Sequence, residues 1–237
     1  MATGTFVLVH GAWGGGWAWT PLADRMRARG HRVFTPTLTG LGERSHLRSG
    51  AVNLSTHIAD VCNVIRYERL RDFVLAGHSY GGMVVTGAAD RMADRIRSLV
   101  YIDAFLPEDG MSVADYTPVA TAARLEDAGA RHGGLGVSDP DPWVPPDGDP
   151  AEQAEVAAFQ GPQPLGTFLE KIRLTGAAER IPRRLYICAT ANPGPVLRPF
   201  HARVRGAPGW ETAEVDCGHG VYRERPEELI ALLERML

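Results

Sequence analysis

The chain has 237 residues, 44% hydrophobic and 22% charged, with a formal net charge of −3 at pH 7. Those figures suit one domain with a sizeable core, and they exclude a disordered chain or a polycation built to bind nucleic acid. Lysine is almost absent, arginine carries the positive charge, and there is no basic cluster with interleaved aromatics. No apolar run approaches the ~20 residues that span a bilayer, and with a strand-like segment following the first five residues no leader peptide is expected. Cys62, Cys188 and Cys217 are widely spaced and odd in number, suggesting neither a disulfide framework nor a zinc site. The expectation is a cytoplasmic protein with no metal or cofactor, binding neither nucleic acid nor membrane, with a homodimer left open.

In chain order, Phe6 to His10 and Arg32 to Leu38 read as short buried strands. Ile58, Val61, Cys62 and Ile65 fall at i, i+3, i+4 and i+7 and predict a helix behind the caps Ser55 and Thr56. Phe73 to Gly77 is a third strand, Met83 to Met92 a helix, and Leu99 to Asp103 a fourth strand. From Pro107 to Arg180 the alternation stops: no strand is predicted there, Gly133 to Gly136 and Asp139 to Pro150 are turn-rich, and Ala151 to Phe159 is a short helix. Leu185 to Ala189 and Ala213 to Asp216 resume the strands. Pro226, Glu227, Glu228 and the stripe Leu229, Leu232, Leu233 and Met236 predict a closing helix. Strand alternating with helix predicts an α/β fold: a predominantly parallel sheet of about six strands covered on both faces. Residues 1–106 and 181–237 would form its core, and 107–180 an inserted cap over the carboxyl ends of the strands, where ligand sites lie.

The chemical signal is Gly77-His-Ser-Tyr-Gly-Gly82, a GxSxG turn between a strand and a helix. So tight a turn demands glycine at 77 and 81, and it would hold the Ser79 hydroxyl out at the start of a helix whose dipole favours developing negative charge. A serine of ordinary basicity requires a base. His219, in the Gly-flanked turn between the last strand and the last helix, could swing over Ser79, while His46 and His57 remain possible substrate contacts. The stretch His10 to Trp19 packs four glycines and three tryptophans into ten positions. When Ser79 attacks a carbonyl, the oxygen becomes anionic and needs two preorganised donors. Tyr80 N–H would be the first and Ala12 N–H the second. Neither GxGxxG nor the Lys-Ser/Thr of a phosphate loop is satisfied.

The chain resembles the α/β-hydrolases, in particular the branch of plant methylesterases, hydroxynitrile lyases and bacterial esterase relatives. The marks are Phe6 to Trp13, Asn53 to His57, Gly77 to Gly82, Leu99 to Pro107 and Gly218-His219. The resemblance implies that Phe6 to His10 is the third strand of the full fold, that a cap follows Phe105, and that Ala12 and Tyr80 form the oxyanion hole. It also exposes a departure. Those plant relatives carry an aspartate after the penultimate strand, where this chain has Ala189-Thr-Ala-Asn-Pro-Gly-Pro-Val196 without a carboxylate. Asp103 is the candidate replacement; Asn192 could orient the imidazole without charge, and Asp216 would point along a strand. The resulting expectation is a serine hydrolase that cleaves a small hydrophobic or aromatic carboxylic ester through an acyl-enzyme. Trp13, Phe105, Trp143, Phe159, Leu165 and Phe168 could line its pocket. Carbon–carbon cleavage is the alternative, weakened by Gly220 where the lyases carry a lysine, and a non-catalytic ligand-binding homologue is the third reading.

Overall fold

The computed structural model describes residues 3–138, 149–192, 194 and 196–237. Six strands form one all-parallel sheet: β1 (Thr5–Val9), β2 (Arg32–Phe34), β3 (Phe73–Ser79), β4 (Ile96–Ala104), β7 (Arg183–Ala189) and β8 (Trp210–Val215), in the order β2-β1-β3-β4-β7-β8. The expected strands all occur. β2 stops earlier than its apolar pattern suggests, because Pro36 offers no N–H to a ladder.

Side chains alternate across a strand, and the sheet uses that alternation to build two cores. Phe6, Leu8, Val74, Ala76, Val100 and Ile102 face one side, where α1 (Thr20–Ala28) supplies Leu22 and Met26 and α10 (Pro226–Glu234) supplies Leu229, Ile230 and Leu233. Val7, Val9, Leu75, Leu99 and Tyr101 face the other, against α2 (Leu54–Tyr67), α3 (Gly81–Met92) and α8 (Arg198–Val204). Each fully buried aliphatic side chain contributes about 1.5–3 kcal/mol. The cap of α2 is Asn53 rather than Ser55 or Thr56: its side chain accepts from Thr56 N–H, and the Thr56 side chain closes the box by accepting from Asn53 N–H.

Residues 107–180 carry α4 (Val113–Tyr116), α5 (Pro118–Arg131), α6 (Pro150–Phe159) and α7 (Gly166–Leu169). They also hold a strand pair that periodicity did not reveal, β5 (Gly136–Val137) with β6 (Gln163–Pro164), antiparallel and two residues long. A strand that short has no period to read. The remaining helix, α9 (Val221–Glu224), is a single turn after β8. Cys62, Cys188 and Cys217 are free and buried. Among the described residues, no helix is long and apolar enough to cross a membrane, and no cluster of three or more His, Cys, Asp or Glu could hold a metal ion.

Candidate active site

β3 ends at Ser79, whose φ of 54° lies in the left-handed region, and α3 begins two residues later. A non-glycine residue there costs on the order of 1–3 kcal/mol, so the surroundings must hold it. They do so by close backbone approach. A Cβ on Gly77 would lie 2.6 Å from the Gly81 carbonyl oxygen, one on Gly81 2.7 Å from that of Val9, and one on Gly82 2.0 Å from that of Phe105. Ser79 is therefore fixed, half-buried, above the first turn of a twelve-residue helix.

The neighbouring strand aims the carboxylate. From Val74 and Ser98, β4 pairs with β3 in step through His78 and Ile102, but Ser79 then pairs with Ala104, leaving Asp103 as a bulge with φ 41°. A bulge re-aims a side chain, and a short aspartate tolerates the left-handed region better than a bulky residue. The Asp103 side chain, 3% exposed, accepts at Oδ2 from His219 Nδ1 at 2.7 Å and from Asn192 Nδ2 at 2.6 Å, and at Oδ1 from Ala189 N–H at 3.4 Å. With Nδ1 as donor, the His219 Nε2 is left as an acceptor. Asn192 Nδ2 also lies 3.4 Å from His219 Nδ1, but both atoms carry hydrogen, so the amide serves the carboxylate. Asp216 is exposed and its described side-chain partner is Thr190.

The turn carrying His219 is pinned from several sides. His78 Nε2 donates to the His219 carbonyl at 2.8 Å, Gly218 N–H donates to Glu224 Oε2 at 2.8 Å, and Ala191 N–H donates to the Cys217 carbonyl at 3.0 Å. Burial, reinforced by the nearby His219, holds the His78 pKa well below 6.5, so this imidazole stays neutral. Burial pushes the Cys217 thiol up to about 12, which removes it as a competing nucleophile.

The turn after β1 lies beside the serine. A Cβ on Gly11 would sit 3.0 Å from Ser79 Cβ, a tight contact that shows how near this backbone runs to the serine. His10, buried, donates from Nδ1 to the Gly11 carbonyl at 2.7 Å and accepts at Nε2 from Leu38 N–H at 3.1 Å. Tyr80 is anchored from behind: its hydroxyl donates to His57 Nδ1 at 2.9 Å, and His57 Nε2 donates to the Thr39 carbonyl at 2.8 Å. Ser79, His219, Ala12 and Trp13 all line one cavity of about 400 Å³.

The family model described as "Alpha/beta hydrolase family" matches residues 6–232. The chain belongs to the alpha/beta hydrolase family. This hydrolase is 42% identical to the carbendazim hydrolyzing esterase of Nocardioides sp. (strain SG-4G), over 94% of its own length and 96% of that protein. It is 30% identical to methylesterase 2 of Arabidopsis thaliana, over 56% of its length and 54% of the plant protein. Its structure matches an extracellular alpha/beta-hydrolase from a Paenibacillus species with a TM-score of 0.84 and 28% identity, covering 98% of each chain. It is an ester-hydrolysing enzyme of the branch that holds the plant methylesterases.

The wall of the hydrolase's cavity differs in part from the sequence expectation. Trp13 and Phe105 line it. Phe168 is buried behind the wall, edge-on to Trp13 and Tyr80, and Phe159 is 51% exposed and packs edge-on against Trp17. Leu165 is half-buried outside the lining, and Trp143 lies outside the described residues. His46 is exposed and His57 buried behind Tyr80, so neither touches the cavity. Trp17, one of the tryptophans expected to wall the pocket, also lines it, whereas sequence reasoning missed Thr117, Arg124, Val156, Gln160 and Tyr222. Thr117, Arg124, Val156 and Gln160 belong to or flank α5 and α6, and Tyr222 belongs to the single turn α9; which of their faces meets the cavity depends on how 107–180 and α9 dock on the sheet rather than on local sequence.

Proposed function

We propose that the chain hydrolyses small esters with an aromatic or otherwise apolar group through an acyl-enzyme on Ser79. His219 Nε2 takes the hydroxyl proton as Ser79 Oγ attacks the ester carbonyl, and Asp103 holds Nδ1–H and stabilises the imidazolium that forms. The Ala12 and Tyr80 N–H groups receive the oxyanion. Collapse of the tetrahedral intermediate breaks the C–O bond, and His219 returns its proton to the leaving alcohol. A water then repeats the sequence against the acyl-serine, giving the carboxylic acid and restoring Ser79.

The observation that carries this reading is convergence. A serine strained at a strand tip, an imidazole oriented by a buried carboxylate and the turn after β1 border the same cavity. That cavity is mostly apolar, walled by Trp13, Trp17, Phe105, Val156 and Leu197, which suits a ring or a short alkyl chain.

The test is hydrolysis of p-nitrophenyl esters from acetate to octanoate by the wild type and Ser79→Ala, with carbendazim as a further probe because a relative is named for hydrolysing it. The expected result is a loss of about 10⁴-fold or more in kcat for the alanine variant and covalent labelling of Ser79 alone by a fluorophosphonate. A variant as active as the wild type would overturn the assignment.

A further inference from the structure

Trp13 follows the proposed oxyanion donor Ala12 directly, and its own φ is 61°, a conformation a bulky side chain rarely adopts. Nothing in the sheet accounts for it. The partners described for Trp13 belong instead to the 107–180 excursion. Its N–H donates to Gln163 Oε1 at 3.0 Å, its carbonyl accepts from Gly161 N–H at 3.1 Å, and its indole Nε1 donates to the Val137 carbonyl at 2.9 Å. Its ring meets Phe168 edge-on at 5.7 Å.

Among these groups Gln163 is placed to decide the geometry. It is fully buried. Its Nε2 donates to Thr167 Oγ1 at 2.7 Å, and the threonine hydroxyl donates onward to the Pro164 carbonyl at 2.7 Å. That chain leaves the carboxamide one orientation, with the oxygen toward Trp13 N–H. Residue 163 pairs with Val137 in the short β5–β6 ladder, so the carbonyl that holds the indole and the amide that holds the backbone share one two-residue ladder.

We propose that Gln163 is a positioning residue for ester hydrolysis: by accepting from Trp13 N–H it holds the turn that presents Ala12 N–H to the oxyanion. This rests on the reading of Ala12 as an oxyanion donor. It also makes the excursion part of the catalytic geometry at this point, since drawing β6 away would release the Trp13 backbone. A donor displaced by a fraction of an ångström loses most of its effect on the transition state and little on the bound ester, whose carbonyl is still neutral.

The test uses Gln163→Met, close in shape but with only a weakly accepting thioether, and Gln163→Glu, which keeps an oxygen for Trp13 N–H. Each is measured for kcat and KM on p-nitrophenyl butyrate and for affinity toward a trifluoromethyl ketone that forms the tetrahedral adduct on Ser79. For the methionine variant we expect kcat to fall about 10- to 100-fold, below the cost of deleting an oxyanion donor outright, with KM within about twofold and ketone affinity falling in step with kcat/KM. Glutamate should recover most of that loss. Unchanged kcat, or a rise in KM that accounts for the whole effect, would overturn the proposal and leave Gln163 as packing. If the methionine variant does not fold, Thr167→Val, which frees the carboxamide to turn, carries the test: a kcat loss at constant KM supports the proposal and unchanged kcat overturns it. Failure of the triad reading is distinguishable, because then Ser79→Ala would be as active as the wild type and the ketone would not bind the wild type at all.

Discussion

Helix α3 follows the proposed nucleophile and helix α5 supplies Arg124 to the cavity wall, and the two are built on opposite terms. α3 buries every residue but Arg91 across twelve positions; α5 buries only Thr121 and Ala128 across fourteen. α3 starts two residues after the proposed nucleophile and is packed so closely that a Cβ on Gly82 would meet the Phe105 carbonyl oxygen at 2.0 Å and one on Gly87 the Ile58 side chain at 2.3 Å, whereas Gly129 of α5 meets nothing within 4 Å. The groups proposed to do chemistry therefore hang from closely packed strand ends and turns, and Thr117, Arg124, Val156 and Gln160 of the wall hang from or flank α5 and α6, helices with more of their surface exposed. A site so divided can change its selectivity without disturbing its chemistry, a division the following substitutions would break or sharpen.

The largest effect is expected at the rigid end. Asp103→Asn keeps the shape but offers His219 Nδ1 an amide that can present the wrong tautomer, and kcat should fall about 10³- to 10⁴-fold in steady-state assays. Asn192→Leu removes a hydrogen bond to the same carboxylate and should cost about 10- to 100-fold. If the two losses came out equal, Asn192 rather than Asp103 would be setting the imidazole.

Stability should divide in the same way. Leu75 in β3 is fully buried, and Leu75→Ala should destabilise by about 2–5 kcal/mol in urea unfolding. Leu125 in α5 is 47% exposed, and Leu125→Ala should change stability by under about 0.5 kcal/mol. Comparable costs at the two positions would mean that the excursion is as tightly built as the sheet.

This division also explains what the sequence could disclose. Apolar runs at β1, β3, β4 and β7 are buried on both faces and so legible as strands, and the glycines of the nucleophile turn are legible because only glycine fits there. Asp103 was a candidate by position, but the bulge that turns it toward His219 depends on where β4 falls out of step with β3, a property of pairing rather than of local sequence. Asn192 illustrates the same limit: without the bulge it looks like a neutral substitute for a missing acid, and with it, like a group that holds the acid. Gln163 had no signal at all, being one polar residue among prolines and glycines whose burial depends on a ladder two residues long.

Acid should find the rigid end first. Burial holds His10 and His57 at about 4 and His78 well below 6.5, so all three fold as neutral rings. In the unfolded chain they take up protons near pH 6.5. Between pH 6.5 and about 4 the unfolded state thus binds more protons, and stability is lost as pH falls through that window, by up to about 1.4 kcal/mol per pH unit for each ring. The midpoint of thermal unfolding should drop between pH 7 and 5, and His57→Gln should make the drop shallower. An unchanged slope in that variant would mean His57 is already protonated in the fold.

The smallest effect is expected in the wall, and it is a change of preference rather than of rate. Val156 on α6 is buried and lines the cavity, while Phe105, at the end of β4, lines it too and packs its carbonyl against Gly82. Val156→Ala opens space at the wall without touching the nucleophile turn. A methylene in an apolar pocket is worth about 1–3 kcal/mol in discrimination, so partial filling of that space should shift the octanoate-to-acetate ratio of kcat/KM by about 5- to 10-fold, with acetate hydrolysis altered less than about threefold. Phe105→Ala should lower both rate and stability, because the backbone that crowds Gly82 loses its anchor. If Val156→Ala slowed both esters equally, the excursion would be reaching the chemistry through α6 as well as through Gln163, and the separation of a rigid catalytic floor from a tolerant wall would fail at α6.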